Sequence, residues 1–332
     1  MPVPFLKMSS KFFIGGILIL GAMTIVIGQV AEVPTAKVTV KVLDEAGNPI
    51  PDAVVGFGFI EARPAWGTAK GEAVNVTTDK TGMATGSGHS DGLFGCGVQK
   101  DGYYDGWPST IEFKDVVLGK WQPWNKVYPV VLRKIVNPIP MYAKKVSAKI
   151  PAMNQSVGFD LSVGDWVKPF GKGTTSDFIL NMSKVQNGPK DFNEKLIITF
   201  THNGDGIQVA QKTSKQDQGG SILNFPRNAP QEGYIDNWAT TISYVSGSYK
   251  EERSNGIGYF FRVRTIKTNK GEIQSSDYGK ISEDIDFFET GTSHPGISFT
   301  YYFNPTGTTN LEFDKSKNLL TNLDDLEQVH NP

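Results

Sequence analysis

From Lys37 onward polar and apolar residues alternate one for one. Lys37-Val38-Thr39-Val40-Lys41-Val42 puts three valines on one side of an extended chain and polar side chains on the other. That period of two predicts a half-buried strand. The turn formers Asp44-Glu45-Ala46-Gly47-Asn48-Pro49 follow, then Ala53-Val54-Val55-Gly56-Phe57, so a second strand closing a hairpin is expected. Thr77-Thr78-Asp79-Lys80-Thr81-Gly82 supplies another tight turn, and Val98-Gln99-Lys100-Asp101-Gly102-Tyr103 leads into a Gly-rich loop. Val127-Tyr128-Pro129-Val130-Val131-Leu132 predicts the strand that ends this module.

The order Val-x-Val, Asp-x-x-Gly-x-Pro-Ile, Ala-x-Val, Thr-Asp-x-x-Gly and Lys-x-Gly-Tyr resembles the carboxypeptidase regulatory-like family over about Val38 to Ile135. The resemblance implies a small seven-stranded, transthyretin-type β-sandwich, without an active site of its own and commonly appended to surface proteins. Two inserts depart from the family pattern, around Glu61 to Ala73 and Trp107 to Trp124, and a role particular to this protein is expected there.

Asn137-Pro138-Ile139-Pro140 resists both helix and central strand and predicts a short stiff connector. Beyond it alternation returns at Leu196 to Phe200, Tyr259 to Ile266 and Ile281 to Phe287, with hairpin chemistry at Asn203-Gly204-Asp205-Gly206, Asn255-Gly256 and Asn269-Lys270-Gly271. Leu319, Leu323 and Leu326 recur at helical spacing in the tail. Before all of this, Lys7 and Lys11 precede an apolar run of 17 residues from Phe12 to Gly28, and the next charge is Glu32. This is the charge order of an export signal. Cleavage after Gly28 is expected, with a retained membrane anchor as the alternative; there is neither a lipoprotein cysteine after the run nor a type IV pilin signature.

The expected architecture is all-β: two antiparallel β-sandwich domains in tandem after an N-terminal apolar helix. The boundaries are 1–31 for the signal peptide or anchor, 35–135 for the first sandwich, 136–151 for the linker, 152–314 for the second sandwich and 315–332 for a tail or short helix.

Composition narrows the function classes. With 33 basic and 34 acidic residues there is no positive excess to hold a phosphate backbone, so nucleic acid is excluded as a partner. Cys96 is the single cysteine, so an exported chain must rely on packing rather than disulfides, which fits a bacterial envelope. No serine sits in Gly-x-Ser-x-Gly. Gly86-Ser87-Gly88-His89-Ser90-Asp91 holds triad residue types, but neighbours in one loop do not line up nucleophile, base and orienter. Cys96, between Gly95 and Gly97 and beside Phe94, reads as a small buried residue. The four histidines, at 89, 202, 294 and 330, lie too far apart in sequence for a zinc motif. Asp205 lacks the alternating acidic pattern of a calcium loop, and Gly171-Lys172-Gly173-Thr174-Thr175 lacks the first glycine and the hydroxyl of a phosphate loop. The acidic stretch Glu283, Asp284, Asp286 and Glu289 reads as a solvated strand face. No catalytic, cofactor or metal residue is assigned, and no cofactor is expected.

The candidate binding patch is aromatic: Tyr103, Tyr104, Trp107, Trp121 and Trp124, crowded into a Gly- and Pro-containing stretch. The expected function is an exported, non-enzymatic surface protein of a bacterium, acting in binding or self-assembly as a structural or adhesive component of a filament or the envelope. Its partners would be another protein, copies of itself or a surface polysaccharide, with the membrane involved only through an uncleaved N-terminal segment. Two rivals stay open at this level: a carbohydrate-binding protein using the aromatic patch, and a secreted hydrolase with its site in the second domain. The expected location is extracellular, periplasmic or cell-surface.

Overall fold

The computed structural model describes residues 32–62, 70–109, 111–188, 191–211, 219–254, 256–288 and 295–332, and Val33–Pro332 form one compact unit. Every regular element among the described residues is a β-strand, as the alternation requires. The expected N-terminal helix, Asn255, Glu289 and His294 lie outside the described residues.

The first module contributes β1 (Thr35–Leu43), β2 (Val54–Ala62), β3 (Lys70–Thr77), β4 (Met83–His89), β5 (Leu93–Gln99), β6 (Gly106–Pro108), β7 (Asp115–Val117), β8 (Lys120–Gln122) and β9 (Lys126–Val131). They form one ten-stranded sheet, completed by β16 (Gly219–Ser221) from far along the chain, in the order β3-β2-β5-β6-β16-β9-β1-β8-β7, with β4 also on β1. The three valines of β1, Val38, Val40 and Val42, share a core with Val55, Phe57 and Phe59 of β2. Because both strands bury side chains in that core, they face each other instead of pairing. β1 pairs with β4 and β9, and β2 with β3 and β5. The hairpin expected across Asp44 to Pro49 is therefore an arch. Its turn is held by the Asp44 carboxylate, which accepts from the amides of Ala46 and Asn48 at 2.9 and 2.8 Å. The curled sheet closes tightly. A Cβ on Gly86 or Gly88 of β4 would come within 2.5 Å of the Phe57 or Phe59 ring, so these positions have no room for a side chain.

The second module is a sandwich of two six-stranded sheets. One holds β10 (Ile139–Lys149), β15 (Gly206–Ala210), β19 (Gly258–Lys267), β20 (Ile273–Phe288), β21 (Gly296–Asn304) and β22 (Phe313–Asn318), ordered β15-β19-β20-β21-β10-β22. The other holds β11 (Ser156–Asp160), β12 (Asp165–Trp166), β13 (Phe178–Gly188), β14 (Asp191–Thr199), β17 (Asn237–Val245) and β18 (Ser248–Glu251), ordered β12-β11-β13-β14-β17-β18. Phe159, Phe178 and Leu196 meet Phe261, Ile281 and Tyr301 in the core between them, and the Phe178 and Phe261 rings cross edge to face at 5.1 Å.

Three local expectations give way. The stretch read as a linker, 136–151, becomes strand β10 from Ile139. Pro140 is tolerated because it falls at the irregularity between the Ile139 and Met141 pairs, where no ladder bond is lost. The Asn203-Gly204-Asp205-Gly206 turn is not a hairpin: β14 pairs with β13 and β17, whereas β15 pairs with β19, so the chain changes sheets there. The tail supplies β22, parallel to β10, and then turns without forming a helix; Leu326 is exposed and Val329 is buried.

Candidate functional site

A cluster of charged groups lies where the two modules meet. Arg227, just after β16, sends both terminal nitrogens to the Glu45 carboxylate at 2.7 and 2.8 Å, and a further donation to the Lys134 carbonyl at 2.6 Å. Arg133, just past β9, donates to the same carboxylate at 2.9 Å, and to the carbonyls of Leu223 and Phe225. Burial of Glu45 opposes its ionisation, but the two guanidinium groups outweigh it and hold the carboxyl below its ordinary value. Deeper in, the Glu312 carboxylate accepts from Tyr104 Oη at 2.9 Å and from the amides of Val136 and Asn137 at 2.9 and 3.0 Å. Burial first, and then the neighbouring Glu312, raise the Tyr104 phenol well above its usual range. Behind this pair lies Lys280, whose Nζ donates to the Leu311 carbonyl at 3.1 Å.

Backbone pairing reinforces the same junction. β16 is antiparallel to β6 and parallel to β9, and Ile222 N donates to the Asp105 carbonyl at 2.8 Å. The chemistry available here is clamping. Each carboxylate is engaged by guanidinium, phenol or amide donors, and Lys280 is fully enclosed.

A second feature is the β7–β8 hairpin in the insert. Its two loop residues, Leu118 and Gly119, both have positive φ (50° and 72°), the pattern of the tight turn that suits a twisted hairpin. Trp121 pins its base: Nε1 donates to the Ser90 carbonyl at 2.8 Å, and the ring packs on Phe113 and over Gly92. Lys120 lies over the Trp124 ring at 5.0 Å. A shallow depression beside it is lined by Glu112, Lys114, Gln122, Pro123, Lys126 and Tyr128, among others.

The five aromatic candidates therefore have different partners. Tyr104 joins the junction, Trp121 roofs the first core, Trp124 sits under Lys120, Tyr103 packs at the core edge, and Trp107 is half exposed on β6 opposite Gly220. The triad-like loop is tied to backbone: Ser87 Oγ donates to the Ala36 carbonyl, Ser90 Oγ to the Leu93 carbonyl, and His89 Nδ1 lies 3.0 Å from the Val33 carbonyl. Burial pushes the Cys96 thiol up to about 12. The amides of Thr174 and Thr175 point at Asp160, at 2.9 and 3.0 Å, so that loop already holds a carboxylate. Asp205 accepts from His202 and Thr265 amides. In the acidic stretch, Asp284 accepts from Tyr259 Oη at 2.5 Å and Asp286 pairs with Arg253 at 3.0 Å. Among the described residues no group of three or more His, Cys, Asp or Glu is placed to hold a metal ion.

Sequence reading missed Arg227, Glu312, Lys280 and Leu118. Only Lys280 left a trace, as a lone charge in the otherwise core-like Tyr278-Gly279-Lys280-Ile281.

No family model matches the chain, and no curated protein matches it. Solved structures similar to the chain include two pilins, each at a TM-score of 0.21. A point mutant of the shaft pilin spaA from Lactobacillus rhamnosus GG is 12% identical over 57% of this chain and 94% of its own. The full-length major pilin SpaD from Corynebacterium diphtheriae is 9% identical over 84% of this chain and 83% of its own.

Proposed function

We propose that this chain is an exported, non-enzymatic bacterial surface protein whose body is a stiff structural segment, assembling with copies of itself or with a surface partner. The observation that carries this reading is the junction. A strand of the second module's chain segment lies inside the first module's sheet, and Arg227 clamps Glu45 across the same seam. Two cores joined in this way bend as one body, which suits a part that transmits force or sets a spacing. The first module is read as the carboxypeptidase regulatory-like sandwich that its motifs resemble. Its Thr-Asp-x-x-Gly turn supports this: Asp79 accepts from the amides of Thr81 and Met83, and Gly82 adopts φ +75° with Val42 O where a Cβ would lie.

The test is the state of the protein recovered from its native envelope, by light scattering and by electron microscopy of labelled cells. Multimers or surface arrays are expected. A monomer confined to a soluble fraction overturns the reading. The half-exposed Trp107 favours a second role in glycan binding, which a glycan array would report and a Trp107→Ala variant would abolish.

A further inference from the structure

The tip of the β7–β8 hairpin breaks two rules at once. Val116, Val117 and Leu118 are consecutive, apolar and exposed, and Leu118, at 95%, is the most exposed large hydrophobic among the described residues. It also occupies a positive-φ position that Asn, Asp or Gly would take at lower strain, since a Cβ is disfavoured there. β7 is moreover the last strand of its sheet, so its outer edge is unpaired. Nothing in the body's own stability calls for leucine at this point.

The place where the chain enters the described structure supplies the missing partner. Thr35 N donates to Gly119 O at 2.9 Å, and Thr35 pairs with Lys120, so the first strand begins against the hairpin tip. The apolar run Phe12 to Gly28 ends seven residues before Thr35. Even fully extended, that segment spans at most about 25 Å, and the headgroup region on one side of a bilayer is roughly 5 to 8 Å deep. In the retained-anchor alternative to cleavage after Gly28, on which this inference rests, the tip is tethered within reach of the surface.

The geometry points to the Val116–Gly119 tip as a lipid-contacting foot, inserting its aliphatic side chains into the interface of the bilayer that holds the chain's own uncleaved N-terminal run. The flanking residues fit that boundary. Lys120, the first residue past the tip, lies over the Trp124 ring at 5.0 Å, an aromatic and lysine pair of the kind favoured at a headgroup layer. Lys114, Lys120 and Lys126 are nearly balanced by Glu112 and Asp115, so the contact is apolar in character rather than a charge attraction. The Trp121 bond to Ser90 makes the hairpin a fixed projection, so contact would set the tilt of the whole body. The inference goes beyond the structural-segment reading and stands apart from it, because it concerns attachment and not assembly.

The experiment uses the full chain, with Cys96→Ala and Val117→Cys, labelled with an environment-sensitive fluorophore and reconstituted through its N-terminal segment into phosphatidylethanolamine–phosphatidylglycerol vesicles. A blue-shifted emission is expected, quenched severalfold more by nitroxide-labelled lipid than the same label at Ser248→Cys. Adding Leu118→Asn, which suits the turn, should leave urea stability equal or higher and return the emission toward that in water. Unshifted emission at position 117 in the vesicles overturns the inference. A shift that follows protein concentration without lipid also overturns it and assigns the tip to a second copy. Loss of residues 1–28 from the protein on cells overturns it as well, leaving the assembly reading to its own test.

Discussion

Lys280 stands at a core position of β20, fully buried, with its Nζ over the rings of Tyr302 at 4.4 Å and Phe225 at 5.4 Å. Burial, and then the positive charge of Arg133, push its ammonium down to about 7 against the opposing pull of Glu312, from an ordinary 10.5. Across that interval the folded protein binds fewer protons than the unfolded chain, so stability rises with pH. Well below pH 7 both states are protonated, and the penalty is constant. Those two values make the lysine cost about 4 kcal/mol at pH 7 and about 2 kcal/mol at pH 9. Lys280→Met keeps an unbranched side chain of similar length and removes the titration. It also leaves the Leu311 carbonyl without its donor, about 1 kcal/mol, and, where the lysine is charged, at and below about pH 7, forfeits the cation–ring contacts, about 1 kcal/mol more. The variant should therefore exceed the parent by about 2 kcal/mol at pH 7 and by only about 1 kcal/mol at pH 9. Urea unfolding followed by tryptophan fluorescence from about pH 6 to 9 measures both slopes. The range stops there because Tyr104, Tyr234, Tyr259 and Tyr302 are raised by burial; above about pH 10 ionisation of the unfolded chain's tyrosines lowers stability. Parent stability that stays flat from pH 7 to 9, or a gap between the two proteins that does not change with pH, refutes the reasoning.

Gly86→Ala should destabilise by about 1–3 kcal/mol, because its Cβ meets the Phe57 ring at 2.5 Å; a double-mutant cycle with Phe57→Leu in thermal melts should show favourable coupling. Arg264, set at φ 56° in a β19 irregularity, donates to both oxygens of buried Asp177 at 2.8 and 2.9 Å, so Arg264→Ala should lose about 3 kcal/mol at neutral pH. That loss should shrink toward acid pH. Burial already raises Asp177 above its ordinary value, and without Arg264 it would rise further and protonate sooner. Arg227→Ala removes a pair whose glutamate is 41% exposed, so its equilibrium effect should be only about 1 kcal/mol, while protease cleavage near Ile135 to Asn137 should accelerate as the seam opens.

The parts of this fold legible from sequence are those where one face is wet and the other dry. β1, β14, β19 and β20 all carried that alternation, and each is a strand. What alternation cannot encode is which wall of a curled sheet a strand joins. Asp44 to Pro49 has the chemistry of a hairpin turn and forms an arch, because Val40 and Phe57 have to meet across a core rather than along a ladder. β10 was hidden by Pro138 just before it and Pro140 within it, and β16 is a Gly-Gly-Ser strand with no apolar pattern at all, paired because Trp107 and Val131 lie to either side of Gly220. The aromatic stretch was visible as a composition, but the environments of its members depend on contacts as distant as Tyr104 with Glu312, 208 residues apart.

Lys280 and Leu118 share a property that separates them from the rest of the chain: each is a residue that local physics would replace. Methionine would fill the Lys280 site without a buried ammonium, and asparagine would relax the Leu118 turn. Stability alone would place neither residue there, which points each to work done elsewhere. For Leu118 the proposed work faces outward, to the bilayer. For Lys280 it faces inward, where Nζ between the Leu311 carbonyl and two rings joins β20 to the segment carrying Glu312. The two substitutions separate the cases. Leu118→Asn should leave multimer formation intact while releasing the tip from lipid. Lys280→Met should leave the lipid contact intact and, if the lysine specifies the seam, broaden the order of the assembled protein despite its higher stability at pH 7. A Lys280→Met protein that assembles with unchanged order would reduce that lysine to a neutral relic.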